Sequence, residues 1–468
     1  TIGTNALFGQ ETNSGENSET QLIQAPTPEE GENYGNSISV FGNYLCVGTK
    51  KSSGNVYVYY KNQATGVYEL QSQLKYRDGV SSRYGWFIAI TDKYLAVSAN
   101  AIIDSVFIYK RYGTDWKFLR QIAAQVEEGI QKDLTQFGRR ISITNDYLLV
   151  GNSEQSSDQG TWLFGKNTGG TDAWGLLKSF TFPGINDPSE TTENDEQFGF
   201  STSIDGDYLV IGANRSKAYN GSSSITTAGL TFVYYRHQGG IDNWGLQQKI
   251  YAQNTDGTHD IVEDARFGNR VNIKGRYLVV SAAERDNGGD SEVGASYIYY
   301  RTGNVWSIQQ RLMPNVPIAG DKFGAAVLSP DTLYCCASAK QGNKAYIFKR
   351  TGATWTQYKI LLPQTLVTNS TFGFELEYDG ENIIVGAPGT ANSYPANEGR
   401  IYVYKQTNTN QDGNGILSVD DHTTHELYLD GEKQKLSVDF SFTNDSTLST
   451  TSTVSSNTVI EHSIDGWR

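Results

Sequence analysis

The stretch Phe198-Gly199-Phe200-Ser201-Thr202-Ser203-Ile204-Asp205-Gly206-Asp207-Tyr208-Leu209-Val210-Ile211-Gly212-Ala213 decides the fold. Its first half, Phe198 to Ile204, alternates as a half-buried strand does. Asp205-Gly206 is a tight hairpin turn in which glycine supplies the positive φ. Tyr208 to Ala213 is continuously apolar, the pattern of a strand covered on both faces. Leu230-Thr231-Phe232-Val233-Tyr234-Tyr235 follows as a third strand, rich in aromatic and β-branched residues. The turn Gly240-Ile241-Asp242-Asn243-Trp244 then feeds a fourth, Leu246 to Ile250.

The unit repeats. Aromatic-glycine pairs stand at Tyr34-Gly35, Tyr84-Gly85, Phe137-Gly138, Phe198-Gly199, Phe267-Gly268, Phe323-Gly324 and Phe372-Gly373, between 49 and 69 residues apart. Second strands recur at Tyr94–Ala99 and Tyr277–Ala282, third strands at Val56–Tyr60 and Ile401–Tyr404. The turn before the fourth strand recurs as Gly113…Trp116, Gly303…Trp306 and Gly352…Trp355, with Tyr68 in the tryptophan's place in the first copy. Four short strands per copy is the signature of a propeller blade, and seven copies predict seven blades. The seventh copy has no fourth strand of its own. Thr20-Gln21-Leu22-Ile23-Gln24-Ala25-Pro26 resembles the fourth-strand endings Gln248-Lys249-Ile250 and Lys359-Ile360-Leu361-Leu362-Pro363. The N-terminal strand is therefore expected to complete blade seven, since an open ring would expose an unpaired edge. The expected organisation is an N-terminal arm at 1–19, an all-β seven-bladed β-propeller over 20–405, and a small C-terminal β extension at 406–468.

Composition agrees with this class. The 468 residues include 49 Gly, 29 Tyr, 10 Pro and one Met, poor in helix formers. The net charge of −13 argues against nucleic acid and anionic membrane as partners. No apolar run reaches the length of a membrane span. A chain opening at Thr1 with Met313 as its sole methionine reads as a processed or excerpted product.

At this level the chain resembles the FG-GAP repeat family, the integrin alpha-like type of seven-bladed propeller. Phe372-Gly373 with Val385-Gly386-Ala387-Pro388 reproduces both halves of that name, and Phe198-Gly199 with Ile211-Gly212-Ala213 nearly does. The resemblance spans residues 20–405. It implies an extracellular or cell-surface module that binds or scaffolds, with a few relatives that are lectins or are fused to enzymes. Many integrin-like blades carry a calcium loop between their first two strands. Here those positions are short turns (Asn145-Asp146, Asp205-Gly206-Asp207, Lys274-Gly275-Arg276, Asp379-Gly380-Glu381), too short to wrap an ion that takes six to eight oxygens.

The candidate chemistry is sparse. Asp286, Asp290 and Glu292 lie in an acidic glycine-rich loop and are weak calcium candidates, though their spacing matches no calcium template. Asn408, Asn410 and Asp412 form the first half of such a loop, but Ile416 and Val419 offer no side-chain oxygen where later ligands would stand. No other cofactor is implied. His422 and His425 read as part of a solvated linker, since zinc needs more ligands than that segment offers. Glu375 and Glu377 share one strand face; the reading preferred is two surface carboxylates over a hydrolytic pair. No nucleophile elbow, P-loop or dinucleotide fingerprint occurs, so no enzyme is expected. Cys46, Cys335 and Cys336 read as small core residues. Sequons at Asn214, Asn220, Asn369 and Asn444 permit N-glycosylation. The turn tryptophans could stack on sugars only if a pocket exposed them.

Beyond Lys405 the repeat stops. Leu427–Lys433 reads as a strand and turn, and Leu436–Phe442 as one alternating strand. Such a segment makes a poor core by itself, so it is expected to pack on the propeller, to augment a neighbour's sheet, or to link to further polypeptide. The expected function is extracellular adhesion or structure without catalysis, with protein or glycan partners held by loops 214–229, 284–294 and 388–399. The alternative is a homo-oligomer or filament subunit assembled through 406–468, and a third reading is a lectin.

Overall fold

The computed structural model describes residues 19–51, 54–76, 83–100, 104–124, 136–152, 160–184, 196–332, 334–339, 342–364, 370–389 and 398–406, together with four strands beyond them. It divides into two units, Thr1–Gln406 and Thr407–Arg468.

The first unit holds seven four-stranded antiparallel sheets and, among the described residues, no helix. Blades one to six span 37–75, 88–123, 140–180, 198–250, 271–312 and 323–361, each with its strands in chain order. Blade seven takes Glu375–Tyr378, Asn382–Ala387 and Arg400–Lys405 from the C-terminal side. Its outer strand is Glu19–Ile23, paired antiparallel with Arg400–Lys405 in the register Leu22↔Tyr402 and Ile23↔Ile401. The ring is thus closed by the chain's N-terminal strand, which removes the open edge of blade seven. Of the expected arm at 1–19, only Glu19 lies within the described residues, and it begins that closing strand.

The core is divided among the interfaces between blades. Seven buried apolar clusters occur, each joining one blade to the next; Val210, Val233 and Ile250 of blade four meet Phe267, Val280, Tyr297 and Trp306 of blade five. The last such cluster joins Ile384, Ile401 and Val403 to Tyr34, Leu45 and Tyr57, across the closure. This is why the second strands are apolar throughout: Tyr208–Ala213 is buried at every position between two neighbours. In the first strand the expected alternation is interrupted. A register shift falls between Phe198 and Ser201, because Gly199 takes φ +99°, and Phe198 is thereby turned into the blade interface.

The motif itself is an interblade contact. The Gly85 amide donates to the Ser98 carbonyl within blade two, and Gly138 does the same to Gly151 in blade three. Between blades, a Cβ on Gly48 would stand 2.1 Å from the Gly85 carbonyl oxygen, one on Gly151 2.2 Å from that of Gly199, and one on Gly386 2.5 Å from that of Gly35. The last pair repeats the contact at the ring closure. The glycine of the second strand is what allows the next blade's backbone this close.

Tryptophans finish five of the seven seams. Trp116, Trp174, Trp244, Trp306 and Trp355 are all buried, each edge-on to the tyrosine that opens the second strand of the preceding blade: Tyr44, Tyr94, Tyr147, Tyr208 and Tyr277, at centroid distances of 5.0–5.9 Å. They have no exposed face for a sugar.

In the second unit His425–Leu429 pairs antiparallel with Glu432–Leu436, and Val438–Phe442 with Leu448–Ser452. The single strand expected at Leu436–Phe442 is divided, because Leu436 closes the first hairpin opposite His425.

Candidate functional site

Strand alternation sorts the connections. Loops between second and third strands, and those leading from one blade to the next, lie on one face; the remaining turns lie on the other. Hydrogen bonds confirm the first set: Phe267 N–H donates to Ala228 O (2.8 Å), Tyr34 N–H to Glu398 O (3.0 Å), and Lys322 Nζ meets Glu292 Oε1 at 2.8 Å. The longest described connections, 214–229 and 251–270, belong to this loop face. The opposite face carries short turns such as Gly206-Asp207 and Gly303-Asn304.

The loops are braced. Ala218–Tyr219 and Ser224–Ile225 make a small hairpin whose tip is capped by Asn220 Oδ1, accepting the N–H groups of Ser222 and Ser223 at 2.9 Å. Asp260 anchors the 251–270 connection: Arg285 donates two bonds to it (2.6 and 3.1 Å), Arg311 one (2.8 Å) and the Tyr297 hydroxyl another (2.7 Å). Burial works to raise the Asp260 pKa, but these donors outweigh it and hold the carboxyl below its ordinary value.

At the ring's centre the innermost strands of all seven blades line a cavity of about 200 Å³. Much of its wall is serine, for a physical reason. Inner strands are edge strands, and serine hydroxyls accept their exposed amides across the seams: Ile88 N–H to Ser37 Oγ (3.1 Å), Ile204 to Ser142 (3.1 Å) and Ile273 to Ser203 (3.1 Å). Asn272 Oδ1 serves Leu328 in the same way (3.0 Å).

Four charged residues interrupt this wall. Arg270 binds Glu375 through two parallel bonds of 2.6 Å, while Arg140 reaches the same carboxylate only at 3.8 Å and lies 4.2 Å over the Phe87 ring. Burial holds the Arg140 guanidinium below its ordinary pKa, and nearby Arg270 adds to this. Glu377 is pushed up to about 8 by burial first and by the Glu375 charge second, against the attraction of Arg270. The expectation of two surface carboxylates is therefore corrected: both lie on an inner strand in the wall of the axial cavity, Glu375 buried and Glu377 half-buried. Sequence reasoning missed Arg140 and Arg270 altogether, although each stands two residues after an aromatic-glycine pair, as does Glu375 at Phe372-Gly373-Phe374 plus one.

The other candidates are dispersed. Asp286 Oδ1 accepts the Glu292 N–H (2.7 Å), Asn287 and Asp290 pair through their backbones, and the Glu292 carboxylate is salt-bridged to Lys322. Among the described residues no three His, Cys, Asp or Glu side chains converge in a metal-binding group. Asn408, Asn410, Asp412 and His422 lie outside the described residues, as do Asn369 and Asn444. His425 lies on a strand. Asn214 is fully buried, so a glycan on its Nδ2 does not fit the folded surface, whereas Asn220 sits at the hairpin tip. The three cysteines are free and buried. Asp residues of the short turns bridge blades: Asp205 accepts the Gly275 amide at 2.8 Å, and Asp92 accepts Asn145 Nδ2 at 2.7 Å.

A closed ring of seven four-stranded antiparallel blades around a polar axis defines a seven-bladed β-propeller. The FG-GAP repeat family model matches residues 188–226 and 244–299, in blades four and five, so this part of the propeller is similar to FG-GAP repeats. No curated protein matches the chain significantly. Such repeats are generally found in extracellular or surface proteins. No described helix is long and apolar enough to cross a membrane.

Proposed function

We propose that this protein is an extracellular, non-catalytic adhesion or structural module whose loop face holds a protein or glycan partner. The observation that carries the reading is the sorting of the connections: the long, braced segments at 214–229, 251–270 and 284–294 gather on one face of a rigid ring, while the connections of the other face are shorter, the longest being 166–174 and 236–244. Binding residues presented on loops by a stiff scaffold are held without a large ordering cost. The test is a panel of immobilised matrix proteins and glycans probed with the intact chain. Replacing the 217–226 hairpin by a Gly-Ser turn should abolish capture, and changes in the turns at 206–207 or 303–304 should not. Capture that follows the short turns instead would refute the reading, as would turnover of a probe.

A second reading is self-assembly through the C-terminal unit. Its described strands form two separate two-stranded sheets, and a lone hairpin is marginal unless a further strand or surface covers it. Addition of these strands to a neighbouring subunit's sheet would supply that cover and, repeated head to tail, build a filament. Native mass of the intact chain that stays monomeric over a wide concentration range would remove this reading.

A further inference from the structure

The residue positions just after the aromatic-glycine pairs ring the loop-face mouth of the axial cavity. On the side of blades one to four, some of these positions join Lys50, just after the second strand of blade one, and Arg83, just before Tyr84-Gly85, in a cluster of cations on aromatic rings. Lys50 Nζ and the Arg83 guanidinium lie 5.4 and 5.2 Å from the Trp86 ring, Arg139 lies 5.2 Å from Phe200, and Arg140 lies 4.2 Å from Phe87. Trp86 and Phe87 stack at 5.6 Å, which ties the two halves together.

Among the described residues no carboxylate comes within salt-bridge reach of Lys50, Arg83 or Arg139. Burial lowers the Lys50 pKa, and Arg83 and Arg139 lower it further, as expected where like charges gather without a counter-charge. This occurs on a chain whose net charge is −13, so the patch runs against the field of the whole molecule. Inside the mouth, Glu375 is committed to Arg270 and leaves Arg140 at 3.8 Å.

We propose that this mouth binds an acidic peptide segment of a partner protein, with carboxylates on Lys50, Arg83 and Arg139 and one side chain entering the cavity toward Arg140. The inference deepens the loop-face reading and rests on it. Guanidinium forks match carboxylates in geometry. The cavity of about 200 Å³ admits a side chain and nothing much larger. Cations already lie over the Trp86 and Phe200 rings, which disfavours a sugar there, and Arg139, whose Nη1 donates to Gln136 Oε1, keeps further N–H groups for a carboxylate.

The experiment uses the full chain and a fluorescein-labelled octaglutamate peptide, read by fluorescence anisotropy at low salt and through a salt titration. Binding should weaken as salt rises, and Arg139→Gln and Lys50→Gln should each weaken it about tenfold, the size expected for loss of one charge-assisted contact. Lys93→Gln, in an exposed turn of the opposite face, should leave it unchanged. Arg140→Gln is included with its melting temperature, so that loss of binding is separated from loss of fold. No binding of octaglutamate, or equal weakening by Lys93→Gln, overturns the inference. If a heparin oligosaccharide binds through Arg139 and Lys50 while octaglutamate does not, the peptide assignment fails and the loop-face reading stands. If partner capture follows the opposite face, both fail.

Discussion

Gly212 in the second strand of blade four lies directly against Gly268 at the head of blade five: a Cβ on Gly212 would be 2.2 Å from the Gly268 carbonyl oxygen and 2.3 Å from Ser201 Oγ. The first contact is with backbone, which cannot rotate away. The two glycines that mark the repeat in sequence thus belong to different blades in space, and each pair sets the distance between neighbours. Gly212→Ala is expected to cost about 3 kcal/mol or more through overpacking. Gly206→Ala serves as the control, since its φ of +56° is strained for alanine but nothing stands within 4 Å. It should cost about 1–2 kcal/mol. Urea unfolding of both variants checks the ordering, and equal costs would show that the contact is not tight.

A second interblade device is a glutamine that reads the next blade's backbone. Gln248 donates to Trp306 O (2.7 Å) and accepts from Trp306 N–H (2.9 Å); Gln310 does the same with Trp355 (2.6 and 2.7 Å), and Gln21 with Tyr68 (2.8 and 2.9 Å). Gln248→Leu should lose about 1–3 kcal/mol, because the Trp306 amide is left without its acceptor. Gln21→Leu makes the same change in the closing strand. Its expected signature is faster amide exchange across Arg400–Lys405, with the inner strands unaffected.

The closure also has an ionic latch. Asp379 of blade seven accepts bonds from Lys61 Nζ (2.9 Å) and the Tyr68 hydroxyl (2.5 Å) of blade one, and its side chain is fully buried. Burial opposes ionisation, yet the bonds from Tyr68, Asn382 and Lys61 prevail and keep its pKa below the ordinary value. A depressed carboxyl contributes stability that is present above the unfolded-state pKa and lost as pH falls through the folded one. Asp379→Asn should therefore be less stable than the parent at neutral pH, with the difference shrinking under acid. Thermal melts from pH 7 down to pH 3 test this, and a gap that grows toward acid would contradict it.

Glu377 behaves in the opposite sense. Its pKa near 8 lies above the unfolded-state value, so the folded chain holds a proton there that the unfolded chain has released. The stability this gives is complete below the unfolded pKa, declines through the interval up to about 8 and is gone above it. Glu377→Gln removes that decline. Its melting temperature relative to the parent should rise between pH 5 and pH 8 and level off beyond; a constant difference across this range would refute the shift.

The ring was legible in sequence because its parts repeat. Seven aromatic-glycine pairs and the apolar second strands give blade number and boundaries, and the resemblance of Gln21-Leu22-Ile23 to other fourth strands gives the closure. The bulge after Phe198 was not legible, since alternation alone does not reveal that Gly199 adopts positive φ. The axial charges were hidden for another reason. Arg270 and Glu375 are 105 residues apart in sequence and Arg140 is farther still from either, and only ring closure brings the first strands of blades three, five and seven to one axis. Reading the residue two places after each pair, column by column, would have found all three. The burial of the turn tryptophans was not legible either, because a turn position does not reveal that each turn folds back against a neighbouring tyrosine.

Whether 19–406 is a closed ring standing as a module by itself is settled by native mass and electron microscopy of the intact chain beside one ending at Gln406. Gln406 is kept because it is buried and its amide donates to Glu381 O (2.9 Å). The shorter chain should be a folded monomer whose images show a closed seven-lobed ring. An open arc, or a shorter chain that aggregates or fails to fold, would contradict it.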